Sequence, residues 1–262
     1  MCRTLFRTAA SRAAHTAATI PRLFVVNPNT SADFTRKIAR AATAAAGAHA
    51  SVVGCVNPEK GPSSIESVYE ELLSAAPTLA LIRDAATPAH DAIIVACFSD
   101  HPAVHAAREL GAGAPVVGLL DSAIVTALPL GDRFSIVTTA APWRPLLRRG
   151  VEATLGGSSS RLASVRAIDM PVLALEESAG GAEAAAARIC EESRRAVEDD
   201  GAEVVVLGCA GMADLPERVR DALGTRAAVV EPVSAAVELA ASLARQRLRT
   251  AKHALYATPK TP

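Results

Sequence analysis

Two cysteines stand where this chain could do chemistry. Cys97 lies in Ala96-Cys97-Phe98-Ser99-Asp100, and Cys209 in Gly208-Cys209-Ala210-Gly211-Met212. Each follows an apolar run rich in β-branched residues, at 91–95 and 203–207. Such a run reads as a buried parallel strand that empties into a loop. In open α/β sheets ligands bind at those strand ends. The two sulfurs are therefore expected to face each other across one pocket, one from each half of the chain. A thiol reacts as its thiolate. Its ordinary pKa of about 8.5 falls beside a helix N-terminus or a hydrogen-bond donor. Each cysteine precedes a helix or turn, so both are expected to be lowered in this way.

The other three cysteines read differently. Cys55 falls within a strand, Cys190 at a buried-looking helix position, and Cys2 in the N-terminal stretch. The number is odd, the spacing irregular, and no Cys-x-x-Cys or His/Cys cluster suggests zinc. Free thiols in a reducing compartment follow. A single cysteine after a buried strand is usually a small core residue. Two at matching positions in two halves make the functional reading the stronger one. His101 and His105 are expected beside the site in supporting or capping roles, and Asp100 as the cap of the next helix. Arg144, Arg148 and Arg149 read as a solvated face.

The elements that must hold these residues alternate regularly. Strand patterns at 22–26, 50–56, 92–96 and 115–120 are separated by helical patterns at 32–46, 65–76 with 79–86, and 103–110. Ser31 or Thr30 caps the first helix and Gly47 ends it. The second half repeats the scheme. Its strands fall at 134–139, 163–168, 203–207 and 227–232, and its helices at 121–128, 143–155, 183–199, 216–222 and 233–248. The cysteine strand is third in both sets. The expected fold is α/β, with two pseudo-symmetric lobes. Each is a four-stranded parallel sheet flanked by helices, and the active site lies in the cleft between them.

Half of the 262 residues are apolar, which makes a globular chain with a sizeable core. Aromatics are 3% of residues, too few for a base-stacking surface. Lys plus Arg and Asp plus Glu both number 27, so no charge imbalance points to nucleic acid or a membrane surface. No apolar run approaches the roughly 18 residues of a membrane span. Residues 1–21 form an N-terminal extension. Arg3, Arg7 and Arg12, with Arg22 following, stand among Ser, Thr and Ala, and no acid precedes Asp33. That composition resembles a mitochondrial transit peptide. An intracellular protein is expected, cytoplasmic or directed to mitochondria by this extension.

Several motifs together carry a family resemblance. They are Val26-Asn27-Pro28-Asn29-Thr30-Ser31, Gly61-Pro62-Ser63-Ser64-Ile65-Glu66-Ser67, the Cys97 motif, Arg133-Phe134-Ser135-Ile136-Val137-Thr138-Thr139, and Leu207 with the Cys209 motif. In this order they resemble the hydantoin racemase branch of the aspartate/glutamate racemase superfamily, to which allantoin racemase also belongs. The resemblance runs from about 22 to 248. One departure is Cys97-Phe98-Ser99-Asp100-His101-Pro102, where bacterial hydantoin racemases usually read Cys-Phe-Gly-Asp-Pro.

The resemblance implies a racemase that uses no cofactor or metal, with Cys97 and Cys209 as catalytic residues that exchange roles as base and acid. It implies a small-molecule cyclic ureide as substrate. Asn27, Thr30, Phe98, Ser99, Thr138, Thr139, Ala210 and Gly211 are then expected to hold its ring and the enolate oxygen formed on the way. It further implies that the last helix returns to the first lobe. The first lobe would be 22–118 plus 234–250, the second 119–233, and 251–262 a flexible tail. A homo-oligomer is expected. Two rival readings stay open: a superfamily isomerase or decarboxylase acting on a carboxylate, and a ureide-binding module without catalysis.

Overall fold

The computed structural model describes residues 20–85, 90–110, 113–176 and 180–260. Among them are two parallel four-stranded sheets. The first comprises β1 (Arg22–Val26), β2 (Ser51–Val56), β3 (Ala92–Val95) and β4 (Val116–Gly118), in the order β2-β1-β3-β4. The second comprises β5 (Phe134–Thr138), β6 (Leu162–Ala167), β7 (Val204–Leu207) and β8 (Ala228–Val230), in the order β6-β5-β7-β8. The two orders are the same, four strands on. Even a register slip recurs at the equivalent place, between Leu23 and Phe24 against β2 and between Phe134 and Ser135 against β6. Every residue of β3, β5 and β7 is buried. Helices cover both faces of such strands, so β3 and β7 are apolar throughout, and β5 admits only the small hydroxyl residues Ser135 and Thr138.

Eight α-helices accompany the sheets among the described residues: α1 (Ala32–Ala46), α2 (Val68–Ala85), α3 (Pro102–Leu110), α4 (Leu119–Ala127), α5 (Trp143–Leu155), α6 (Ala182–Glu198), α7 (Pro216–Leu223) and α8 (Pro232–Arg245). Ser31 caps α1 by accepting the Phe34 N–H, and Gly47 ends it at φ 48°, where a side chain would be strained. Two features depart from the sequence reading. The helical patterns at 65–76 and 79–86 are one helix, α2, which continues through Pro77. Packing holds it together despite the lost backbone donor. α4 begins at Leu119, earlier than the expected 121, because Asp121 Oδ1 accepts the Gly118 N–H at 3.0 Å and nucleates the turn.

α8 leaves β8 behind and packs against α1, α4 and β3. Glu231 starts it, accepting the N–H groups of Val233 and Ser234 at 2.8 and 2.7 Å. Ala236, Ala240 and Ala241 are fully buried on α8. Their small side chains allow the close helix approach that an alanine-rich composition favours. One apolar core runs through both sheets and includes Val25, Ile94, Ile136 and Val206.

The C-terminal segment, expected to be flexible, is seated on α3. Lys252 Nζ donates to the carbonyls of Arg108 and Glu109 at 2.6 and 2.9 Å. The Tyr256 hydroxyl accepts from Arg108 Nη1 at 3.2 Å. Residues 1–19 of the arginine-rich extension lie outside the described residues. No helix among the described residues is long and apolar enough to cross a membrane.

Candidate active site

In both sheets the chain moves outward to β2 or β6 on one side and to β4 or β8 on the other. The strand order thus reverses between β1 and β3 and between β5 and β7. The segments leaving these four strands diverge, and a cleft opens at their carboxyl ends. Cys97 follows β3 and Cys209 follows β7, both two residues past the strand, and both line this one cavity. Gly208 makes the second exit feasible. A Cβ there would stand 2.7 Å from Ile136 Cγ2 and 2.8 Å from the Val137 carbonyl oxygen. Any side chain would push the Cys209 loop off the sheet.

Each thiol has one close polar partner. Cys97 Sγ lies 3.5 Å from Ser99 Oγ. Cys209 Sγ accepts the Gly211 N–H at 3.4 Å and caps the 3-10 turn Ala210–Met212. Thr138 and Thr139 line the cleft between them. The Thr138 hydroxyl donates to the Gly208 carbonyl at 3.1 Å, so it meets a ligand only as an acceptor. Thr139 Oγ1 makes no hydrogen bond among the described residues and is free to donate. Phe34 and Ile38 of α1, Ile65, Phe98, Trp143 and Val172 form the apolar walls. Among the described residues no charged one lines the cavity.

The structure brings Cys97, Cys209, Phe98, Thr138, Thr139, Ala210 and Gly211 together around this cleft. It does not bring Asn27, Thr30 or Ser99 into the lining. Asn27 is fully buried beneath it. Its amide donates to Asn29 Oδ1 at 2.9 Å and Thr35 Oγ1 at 3.0 Å, bracing the loop that follows β1. The Thr30 backbone joins that loop to Pro62 and Asn57. Asn29 is the residue of this loop that reaches the cleft. Ser99 touches the Cys97 sulfur but lines a neighbouring cavity with Glu71 and Asp100. The sequence reading put the 27–30 loop at the pocket but chose Asn27 and Thr30 from it instead of Asn29, and it did not name Phe34, Ile38, Ile65, Trp143 or Val172. Val172 comes from a 3-10 turn, Val172–Leu175, whose four residues have no legible periodicity.

The expected lowering of both thiols is not what the site shows. Burial pushes Cys97 up to about 12, against a hydrogen bond from Ser99 that lowers it, while Glu71 and Cys209 raise it further. Burial pushes Cys209 up to about 11, against the Gly211 N–H and the charge of Lys37, which lower it, while Glu66 raises it. α3 begins five residues after Cys97, so its N-terminus does not follow the thiol directly. Glu71 is 8% exposed, burial raises its carboxyl, and its Oε1 has no partner among the described residues.

His101 is a structural residue. Nδ1 accepts the Ala103 N–H at 3.2 Å, so Nε2 carries the proton and donates to Ser74 Oγ at 2.9 Å. His101, rather than Asp100, therefore caps α3. Asp100 pairs with His105 Nε2 at 2.7 Å instead. The Cys55 thiol, on β2, is pushed by burial to about 11. Among the described residues no group of three His, Cys, Asp or Glu could hold a metal ion.

A profile of the Asp/Glu/Hydantoin racemase family matches residues 23–240. The chain belongs to that family. A hydantoin racemase of Rhizobium meliloti is 38% identical over 238 residues, 91% of this chain and 95% of the relative. An allantoin racemase from Klebsiella pneumoniae superimposes with a TM-score of 0.83 at 37% identity, over 92% of this chain and 95% of the other. The allantoin racemase of Pseudomonas fluorescens gives 0.82 at 38% identity, over 92% and 98%. The chain is accordingly an isomerase, a racemase of the hydantoin-racemase-like kind.

Proposed function

We propose that the protein racemises five-membered cyclic ureides, 5-substituted hydantoins or allantoin, by proton transfer between two thiols without a cofactor. The observation that carries the substrate class is the uncharged cleft. A carboxylate substrate needs a cation or a dense set of donors to replace its water. A neutral ring with alternating C=O and N–H groups needs matched donors and acceptors, which Thr139, Thr138, Asn29 and the backbone beside each thiol supply. The names of the relatives point the same way.

In the reaction one cysteine, as thiolate, removes the proton from C5. The electron pair moves into the neighbouring carbonyl to give an enolate. The thiol on the opposite face then delivers its proton to C5, leaving the ring inverted and the thiolate on the other side. In this reading the backbone N–H groups of Phe98 and Ala210 hold the enolate oxygen, while that of Gly211 stays with the Cys209 sulfur. Polarimetry with single enantiomers tests the substrate class. Rotation of allantoin or 5-benzylhydantoin decays to zero, while L-aspartate and L-glutamate keep theirs. Racemisation of an amino acid with both ureides untouched overturns the reading.

A further inference from the structure

The two thiols share a cavity but not an environment. Behind Cys97 stands an acid, Glu71, with Ser99 hydrogen-bonded to both. Behind Cys209 stands a base. Lys37 of α1 is 4% exposed and turns its ammonium into the loop that carries Cys209. Nζ donates to the Leu175 carbonyl at 2.8 Å and the Gly211 carbonyl at 3.4 Å, and pairs with Asp214 Oδ2 at 3.1 Å. Gly211 is the residue whose N–H meets the Cys209 sulfur. Lys37 therefore grips the turn that forms the thiol's hydrogen bond, and brings a buried positive charge beside it. Gly211 permits this approach. A Cβ there would stand 3.0 Å from Phe34 Cε1 and 3.1 Å from Leu175 Cδ1.

We propose that Lys37 is a positioning residue that makes Cys209, rather than Cys97, the thiol that gives up its proton first. The role rests on the two-thiol racemase reading above. It deepens that reading by fixing which sulfur carries the charge in the singly deprotonated, active form: Cys209 as thiolate and base, Cys97 as thiol and acid. Two carboxylates oppose this order, and the first is Glu66, which acts on Cys209 from the loop before α2 against Lys37. Asp214, at 43% side-chain exposure, partly neutralises Lys37 from the solvent side. Glu176, near Leu175, is engaged by Ser31 Oγ at 2.6 Å. On the Cys97 side Glu71 and the Cys209 sulfur both disfavour a charge. Each proton's release belongs to the coupled pair, and the asymmetry decides which sulfur carries the first negative charge.

Alkylation reads the order without any substrate. The full-length protein is treated with iodoacetamide across a pH series, and the modified cysteine peptides are quantified by mass spectrometry. The pH midpoint, not the absolute rate, is compared, because accessibility differs between the two sulfurs. Cys209 is expected to show the lower midpoint. Lys37→Met is expected to raise it by about one pH unit, a roughly tenfold slower reaction at fixed pH below the midpoint. Lys37→Arg is expected to restore much of the shift. Ser99→Ala is expected to raise the Cys97 midpoint instead.

A merely structural strut would lower the melting temperature of Lys37→Met and leave the midpoint in place. Should Lys37→Met fail to fold, Asp214→Asn decides. Removing the counter-charge leaves the Lys37 field less neutralised, so the Cys209 midpoint falls, whereas loss of a strut would raise it or leave it unchanged. Cys97 titrating first, or a Cys209 midpoint indifferent to Lys37 and Asp214, overturns the proposal. A protein that titrates in the expected order but leaves ureides optically active would instead contradict the racemase reading.

Discussion

Cys97 and Cys209 sit where burial favours the thiol over the thiolate, at about 12 and about 11. Catalysis needs one thiolate and one thiol together. Below both values the fraction of enzyme with one thiolate grows tenfold for each pH unit. The account therefore predicts that log kcat/KM for a ureide rises with a slope of about one between pH 7 and 9. A flat profile over that range would show a thiolate already formed, and would contradict the burial argument. Both cysteines were legible in the sequence, because a buried strand ending in a small residue and a thiol occurs twice at matching places. Their protonation was not. The sequence displays loops and donors, whereas desolvation depends on Phe34, Ile38, Trp143 and Val172, which arrive from three separate elements. For the same reason Asn27 reads as a ligand in the sequence yet serves the loop from below, and Asn29 takes the exposed place.

At the scale of elements, α2 and α3 are tied by His101, which is completely buried and pushed by burial to about 4. Its neutral ring caps α3 and donates to Ser74. In the unfolded chain the ring takes a proton below about 6.5. The folded pKa is lower, so the unfolded state binds more protons as pH falls. Stability from this residue is complete above 6.5 and is lost as pH drops toward 4. The linkage amounts to about 2 kcal/mol at pH 5 and about 3 kcal/mol in full. Urea unfolding at pH 7 and pH 5 is expected to show this loss in the wild type and a smaller loss in His101→Asn. An equal loss in both would assign the acid sensitivity elsewhere. Sequence periodicity located the helices within a few residues. It split α2 at Pro77 because a local rule cannot see the packing that carries a helix through a proline.

At the scale of the whole molecule, two sheets of identical order each deliver one thiol from the strand in the same position. A racemase needs a proton acceptor on one face of a carbon and a donor on the other. Two pseudo-symmetric lobes meet that need by construction. The α8 helix crosses from β8 to pack on α1 and β3, and the shared core continues through both sheets, so the two thiols are held at a fixed separation. The alternating pattern of strands and helices made this architecture readable in advance. The docking of 252–256 on α3 was not readable, because it rests on single contacts by Lys252 and Tyr256 with no periodic signal.

The central claim is that C5 loses its proton to one cysteine and regains one from the other. Solvent deuterium measures this directly. A single enantiomer of allantoin or 5-benzylhydantoin is incubated with the protein in D₂O, and C5 is followed by NMR while rotation is followed by polarimetry. The account predicts deuterium at C5 of the inverted product, with Cys97→Ser and Cys209→Ser each slowing inversion by about a hundredfold or more. Inversion that survives in either variant at the wild-type rate, or that retains the original C5 proton, would contradict it.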